Sequence, residues 1–285
     1  SLKPPELEER LDLWIYRPLA FLIAWPLRKT SIRPNQVSLG SMVCGVAAGL
    51  LFWRATRGAA LLGGLAYLLG NVLDCADGQL ARLQGCASPI GYLVDGAADY
   101  VGTTAVFVGM AHSLNVQRPS TVNWWWLVVA AGISMAWQCA FLDEKRKEWQ
   151  RRVHQRSADR QERIDALGRQ ADQWRAEGSH VAGRALIAGY RAYQKVWEPL
   201  TRASSKALPP RGNESSARWA ECHQPVLRRS IWVGPSMHMT AIAVCAGFLN
   251  RPDWYLLAAL SVGNIWMLAT LAAERRAARC AAEAV

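Results

Sequence analysis

The stretch that decides the fold is residues 74–99, which read DCADGQLARLQGCASPIGYLVDGAAD. It holds four aspartates, Asp74, Asp77, Asp95 and Asp99, within or beside segments that are otherwise apolar. An ionisable side chain at membrane depth is costly, and where one occurs it usually serves a function. Four such side chains at helical spacings therefore indicate a site.

The spacing predicts that the four carboxylates converge. Asp74 and Asp77 are three residues apart on one helix face, and Asp95 and Asp99 are four apart on the next helix. If the two helices are antiparallel neighbours, the carboxylates meet and repel one another unless a cation is bound. Oxygen ligands suit a hard ion such as Mg²⁺, and no fixed Cys or His of the pattern favours zinc or copper.

The positions around the aspartates are small or basic. Gly78, Ala81 and Gly91 leave room for a substrate to approach the backbone. Arg82 presents a guanidinium fork that suits a phosphate group. The pattern therefore favours a ligand that brings phosphate to a metal.

The complete pattern resembles the signature of the CDP-alcohol phosphotransferase family, whose members join phospholipid head groups to lipids. Its eight fixed positions are Asp74, Asp77, Gly78, Ala81, Arg82, Gly91, Asp95 and Asp99, and all are correctly spaced. Residues 33–38, RPNQVS, also resemble the Pro-Asn motif that precedes the first span in this family. The resemblance implies six transmembrane helices, with both termini and the opening of the active site on the cytoplasmic side.

The resemblance also implies a role for each residue of the pattern. Asp74, Asp77 and Asp95 would ligate a first Mg²⁺ or Mn²⁺ ion, and Asp74, Asp95 and Asp99 a second one. Asp99 would be the general base that takes the proton from the acceptor hydroxyl. Contacts to the CDP moiety or clearance for it would come from Asn35, Ser38, Gly78, Ala81, Arg82, Ser88 and Gly91.

Apolar runs predict an all-α polytopic membrane protein, since a crossing helix needs roughly 20 mostly apolar residues. The six expected spans are Val37–Trp53, Gly58–Val72 running into Asp74, Pro89–His112, Trp124–Leu142, Ser230–Phe248 and Trp254–Ala272. We expect His238 and Asn264, in spans five and six, to form interhelical hydrogen bonds rather than substrate contacts. The small residues that recur in the spans allow close helix packing.

The chain divides into four expected segments. Residues 1–36 form a juxtamembrane segment, 37–142 spans one to four with the signature, 143–229 a basic helical insert, and 230–285 spans five and six with a basic tail. In the first segment we expect an interfacial amphipathic helix, Glu6–Lys29, that Pro18 and Pro26 bend or break. Its first residues are polar and acidic, so we expect no cleavable signal peptide.

Lys and Arg near the span ends set the expected orientation. They flank the first span, the end of the fourth and the end of the sixth, and six spans put all three places on one side. We therefore expect an integral protein of the bacterial inner (cytoplasmic) membrane whose active site faces the cytoplasm.

The insert supplies most of the positive charge. The chain has a net charge of +11, and residues 143–229 contribute +8 of it through 19 Lys or Arg against 11 Asp or Glu. We expect a helix over Glu144–Arg175, a second over Ser179–Ser204 and a loop over Ser204–Ser216. A basic face attracts anionic membrane lipid, although a solvated appendage would look the same.

The composition does not favour nucleic-acid binding, a disulfide framework or a zinc site. Basic residues interleaved with acidic ones make a poor stripe for nucleic acid. The seven cysteines form no CxxC pair, so neither a disulfide framework nor a zinc site is expected. The oligomeric form stays open, with a homodimer as one candidate.

The leading hypothesis is a phosphotransferase in which an alcohol acceptor displaces CMP from a CDP-linked donor, preferably CDP-diacylglycerol. In the alternative, a small donor such as CDP-choline or CDP-ethanolamine serves a lipid alcohol. Other classes are a cation transporter that uses the aspartates, and an inactive scaffold that keeps the fold. A phosphorylated acceptor would need basic side chains, for which the candidates, also explained by the orientation bias, are Lys145, Arg146, Arg228, Arg229 and Arg275.

Overall fold

The computed structural model of the chain describes residues 5–86, 89–119, 123–153, 159–177, 179, 181, 183–192 and 216–282. The regular structure within these ranges is helical, and they contain no strand. Five helices are long and apolar enough to cross a membrane, namely Pro34–Trp53, Arg57–Gln84, Trp124–Val153, Ala217–Phe248 and Pro252–Cys280. The prediction of an all-α polytopic membrane protein is therefore confirmed.

The helices are numbered in chain order. Their bounds are α1 Arg17–Leu27, α2 Pro34–Trp53, α3 Arg57–Gln84, α4 Pro89–Gln117, α5 Trp124–Val153, α6 Asp159–Ala176, α7 183–192, α8 Ser216–Ser230, α9 Pro235–Ile242, α10 Pro252–Ala258 and α11 Asn264–Ala282. Short π-helical turns at Ala243–Phe248 and Ala259–Gly263 extend α9 and join α10 to α11. Spans five and six are thus irregular where the sequence predicted plain helices.

Helix α4, the third expected span, is not among the five apolar helices. Its 29 residues exceed the roughly 20 that a crossing requires. Asp95 and Asp99, with the glycines and threonines around them, lower its hydropathy. The third span therefore stays a prediction, because the polar residues of the site make α4 less apolar than the other spans.

The N-terminal helix is not broken at Pro18 or Pro26, although a bend stays a prediction. Residues 10–27 are helical throughout, with a π-helical turn at Asp12–Tyr16 that ends two residues before Pro18. A wider turn accommodates a residue that has no N–H to donate. Ala20 and Ala24 of α1 are buried, whereas Trp14 is 81% exposed, so one apolar face remains available to an interface.

The chain forms two compact units. The first contains α1–α3, α9 and α10, with α4 from Val94, α5 as far as Cys139 and α11 as far as Leu268. The second contains α6–α8, the first turn of α4, α5 from Ala140 and α11 from Ala269. All four aspartates of the signature belong to the first unit.

Small residues let the helices of the first unit approach closely. A Cβ placed on Gly45 of α2 would lie 2.6 Å from the Cα of Gly102 in α4. A Cβ on Gly64 of α3 would lie 2.9 Å from the Cα of Gly247. The backbones of α2 and α4 are therefore in direct contact, which brings α4 against the helices that carry the rest of the site.

Buried polar side chains join the later helices of the first unit. Gln138 of α5 donates to the Ala259 carbonyl at 2.8 Å, and Asn264 donates to Ser134 Oγ at 2.8 Å. His238 Nδ1 lies 3.1 Å from the Tyr255 hydroxyl. The interhelical hydrogen bonds expected for Asn264 and His238 are therefore present.

The insert agrees with its prediction where it is described, except at α8. Of the expected helix Glu144–Arg175, residues 144–153 and 159–175 are helical, and residues 154–158 lie outside the described residues. Of the expected helix Ser179–Ser204, residues 183–192 are helical and 193–204 lie outside the described residues, as does most of the expected loop. Helix α8 was not expected, because Pro225 and its charged residues obscure a pattern whose buried members include Trp219 and Leu227.

The contact between α2 and α4 can be tested at Gly45. We expect Gly45→Ala to lower the free energy of unfolding by about 1–3 kcal/mol, because the new methyl group meets backbone that cannot yield. Gly58→Ala is the matched control, since a Cβ there meets open space. Thermal unfolding in detergent measures both, and equal midpoints for the two variants would contradict the close contact.

Candidate active site

The C-terminal part of α3 presents the first half of the signature. The helix starts at Thr56, whose hydroxyl accepts from the Ala59 N–H, and ends at Gly85 with φ +65°. Glycine suits this left-handed end, and it stops the helix three residues after Arg82. Asp74, Asp77 and Arg82 thus lie within its last turns.

Three carboxylates from two helices meet as the spacing predicts. One carboxylate oxygen each from Asp74 of α3 and from Asp95 and Asp99 of α4 lie within 4.8 Å of one another. Asp74 and Asp95 are half-buried, and Asp99 is exposed. Of these three residues, Asp99 therefore has the largest exposed fraction.

Asp77 extends this group on the side of α2. It is 5% exposed, and its Oδ2 accepts a hydrogen bond from the Ser38 hydroxyl. Asp95 lies within hydrogen-bond reach of both Asp77 and Asp74, and Asp74 within reach of Asp99. The four aspartates thus form a row in the order Asp77, Asp95, Asp74, Asp99.

This row fits a divalent cation. Carboxylates so close together repel one another, and partial burial weakens the screening by water. A hard ion with oxygen ligands removes the repulsion, and Mg²⁺ is commonly held by one or two carboxylates that leave positions for phosphate oxygens. The arrangement can therefore bring a phosphorylated ligand to a metal at the end of two helices.

The residues expected near the CDP moiety are differently placed. Ser38 is buried and hydrogen-bonded to Asp77, so it orients a carboxylate. Asn35 is exposed at the second position of α2, a helix that begins with Pro34. The Gln36 side chain accepts from the Arg33 N–H at 2.9 Å, so this stretch also builds a helix start. Ser88 lies outside the described residues.

Arg82 is folded back along α3. A Cβ on Gly78 would lie 3.7 Å from Arg82 Nη1, so the guanidinium covers the glycine one turn earlier. Among the described residues Arg82 forms no ion pair. Ala81 and Gly91 are half-buried beside the aspartates in sequence, on α3 and α4.

The N-terminal segment supports α3 through polar contacts that local patterns do not reveal. Gln79 of α3 donates to the Arg17 carbonyl at 3.0 Å. Arg17 in turn forks onto Glu8 with distances of 2.9 and 2.6 Å. No local sequence pattern predicts either contact, because neither pair belongs to a motif or a helical repeat.

A small pocket lies against Asp99. Its lining includes the hydroxyl side chains of Ser41, Tyr67 and Thr103, with Gly70 and Met239. The sequence reasoning did not single out these residues. Thr103 lies one turn after Asp99 and Ser41 one turn after Ser38, and that helical repeat was the available signal.

The basic residues considered for a phosphorylated acceptor all lie in the second unit. Lys145 is 8% exposed and paired with Glu274, with Glu148 at 3.7 Å. Its charge is therefore neutralised by a neighbouring carboxylate. The other four candidates are Arg146, which is half-buried, and Arg228, Arg229 and Arg275, which are exposed.

Comparison with known proteins agrees with this chemistry. Residues 31–153 match the family model described as CDP-alcohol phosphatidyltransferase, a range that holds α2–α5 and every aspartate of the row. A search of curated proteins gave no match.

The bond from Ser38 to Asp77 makes a prediction about metal binding. We expect Ser38→Ala to weaken Mn²⁺ binding by about 10-fold or more, because outer partners orient the ligands of a metal. Electron paramagnetic resonance of free Mn²⁺ measures this. Ser261→Ala is the control, since that exposed serine bonds only its own helix at Leu257. An unchanged Ser38→Ala affinity would count against the orienting role.

Proposed function

The chain belongs to the CDP-alcohol phosphatidyltransferase family through residues 31–153, and from this premise we propose that it makes a phospholipid by displacing CMP from CDP-diacylglycerol. Membership of the family supports a general activity, that of a membrane transferase of phospholipid synthesis that acts on CDP-alcohols. The donor, the acceptor and the residue roles are the proposal. The observation that carries it is the meeting of Asp74, Asp95 and Asp99 within 4.8 Å.

The metal would be held by the row of aspartates. The family is generally dependent on a divalent metal, and the structure has the carboxylate cluster that such an ion needs. We assign Asp77, Asp95 and Asp74 to one ion and Asp95, Asp74 and Asp99 to a second, either Mg²⁺ or Mn²⁺. When bound, the ions would neutralise the charge on the diphosphate and on the departing CMP.

Asp99 would accept the proton of the acceptor hydroxyl. Its exposure and its place on the pocket support this role, because a general base must lie within hydrogen-bond reach of the proton that it takes. The acceptor oxygen then forms a bond to the phosphorus nearest the diacylglycerol. The bond from that phosphorus to the oxygen of CMP breaks, and Asp99 returns the proton to water.

Arg82 would hold the diphosphate of the donor. A guanidinium that is free of ion pairs among the described residues can bind two phosphate oxygens at once. Gly78 beneath it, with Ala81 and Gly91, would keep the approach to the backbone open. Asn35 and Ser88 remain proposed contacts to the CDP moiety, and Ser38 would act through Asp77.

The pocket beside Asp99 favours a small polar acceptor. It is too narrow for a lipid chain, and its lining includes the hydroxyl-bearing residues Ser41, Tyr67 and Thr103, which suit a small polar group. If the acceptor is small and polar, the lipid part of the product must come from the donor. This supports CDP-diacylglycerol as the donor. Lys145 is paired, and Arg146 and Arg229 also have interactions of their own, so the support for a phosphorylated acceptor rests mainly on the exposed Arg228 and Arg275.

The proposed location is the cytoplasmic membrane of a bacterium. The chain is an integral membrane protein, and the side of the site follows from the positions of Lys and Arg. The three basic places flank spans one, four and six, so we propose that the aspartates face the cytoplasm.

The reaction itself is the first test. Purified protein with Mg²⁺ or Mn²⁺ should release CMP from CDP-diacylglycerol when a small alcohol is added, and a chelator should stop the release until metal is restored. A parallel arm offers CDP-choline or CDP-ethanolamine with diacylglycerol. Release only in that arm would reverse the donor assignment, and no release with any pair would favour a transporter or an inactive scaffold.

Asp99→Asn tests the base. We expect its rate of CMP release to fall by about 10²-fold or more, because an amide cannot take the proton. Asp172→Asn is the matched control, since Asp172 lies on α6 with its side chain 75% exposed and should keep the wild-type rate. An Asp99→Asn enzyme as fast as wild type would remove Asp99 from the mechanism.

A further inference from the structure

We propose that the insert is a positioning element for the active site, because its helices hold the first turn of α4, the helix that carries Asp95. This inference rests on the proposed function of the aspartates. It assigns the positioning role to Leu167 of α6 and Ile187 of α7, which act on the helix and touch neither metal nor substrate.

One apolar cluster in the second unit joins the insert to α4. Leu93 of α4 is 5% exposed, and it packs with Leu167, 1% exposed, and Ile187, 2% exposed. Partly buried neighbours complete the cluster, and they are Ile90, Ala171, Trp174, Leu186 and Tyr190. Burial this complete in a charged insert shows that α6 and α7 have a specific docking place.

The two insert helices also pack tightly on each other. Trp174 of α6 lies against Gly183 of α7 so closely that a side chain at that glycine would not fit. The guanidinium of Arg191 in α7 similarly covers Gly168 of α6. The pair is therefore a defined platform, and it offers α4 a fixed surface.

The start of α4 needs such support. It has no acidic residue in its first turn, and its first two turns include Gly91 and Gly96. Glycine disfavours helix, and the first turn of any helix lacks part of its hydrogen bonds. A helix with this sequence depends on tertiary packing for its order. Ile90 and Leu93 are the described apolar side chains of this turn that supply it.

Leu93 and Asp95 lie on different sides of the same helix. Leu93 and Asp95 are two residues apart, about 200° around the helix axis, so they leave α4 on nearly opposite sides. Packing at Leu93 therefore fixes the direction of the Asp95 carboxylate, which lies within reach of both Asp74 and Asp77. Loss of the packing should loosen Asp95, which with Asp74 is one of the two aspartates that both proposed metal positions share.

The test compares equal cavities at two places in the full-length protein. Leu167→Ala should weaken Mn²⁺ binding, measured by electron paramagnetic resonance, by about 10-fold, as loss of outer support does at other metal sites. Leu167→Met keeps the volume and should keep the affinity. Leu114→Ala empties an equally buried position, 1% exposed, near the far end of α4, and should leave Mn²⁺ affinity unchanged.

Hydrogen exchange of the backbone amides of residues 90–99, without metal, gives an independent reading. It should quicken in Leu167→Ala and not in Leu114→Ala. If Leu167→Ala does not fold, Ile187→Val removes a single methyl group and should change both readings in the same direction by less.

The possible results distinguish failure of the positioning role from failure of the proposed function. Wild type that binds no Mn²⁺ and releases no CMP overturns the proposed function and this inference with it. Wild type that does both, with Leu167→Ala binding Mn²⁺ equally well, overturns this inference alone. So does a Leu114→Ala variant that loses as much affinity as Leu167→Ala, because the effect would then be general loss of stability.

Discussion

The mutual repulsion of carboxylates inside an apolar helix bundle is the constraint on which the rest depends. Asp74, Asp95 and Asp99 bring their oxygens within 4.8 Å, and the cost is acceptable only if each carboxylate has a polar partner or a cation. Asp77 accepts a hydrogen bond from Ser38 of α2, and it also lies beside Asp95. The helix bundle must therefore supply hydrogen-bond donors on one side of the row of aspartates and leave the other side open to a cation.

That demand explains why α2 and α4 are pressed together. On α2, Ser38 and Gly45 are seven residues apart, which is close to two turns, so the donor to Asp77 and the glycine contact share one face. On α4, Asp95 and Gly102 have the same separation. The two stripes meet at Gly45 and Gly102, where backbone lies against backbone. Close packing and ligand placement are thus two uses of the same helix faces.

The part of this site that could be predicted is the part governed by local periodicity. The convergence of Asp74 with Asp95 and Asp99 follows from spacings of three and four residues on two neighbouring helices, and it is seen. The bond from Gln79 to the Arg17 carbonyl spans 62 positions, and no local pattern encodes such a pairing. Helix α8 escaped prediction for a related reason, because its Pro225 and charged residues look like loop until Trp219 is seen to be buried.

Charge in the sequence is a poor guide to charge available for a ligand. Lys145 looks like an acceptor-binding residue from its place after the fourth span, yet Glu274, 129 positions away, neutralises it in a buried pair. Arg151, whose side chain is exposed, is paired with Glu144 at 2.9 Å. A buried ion pair holds its partners firmly, since separating them leaves an unpaired charge out of water. Recognition of the acceptor therefore depends on which cations have no such partner, and that selection is made by tertiary contacts outside the signature.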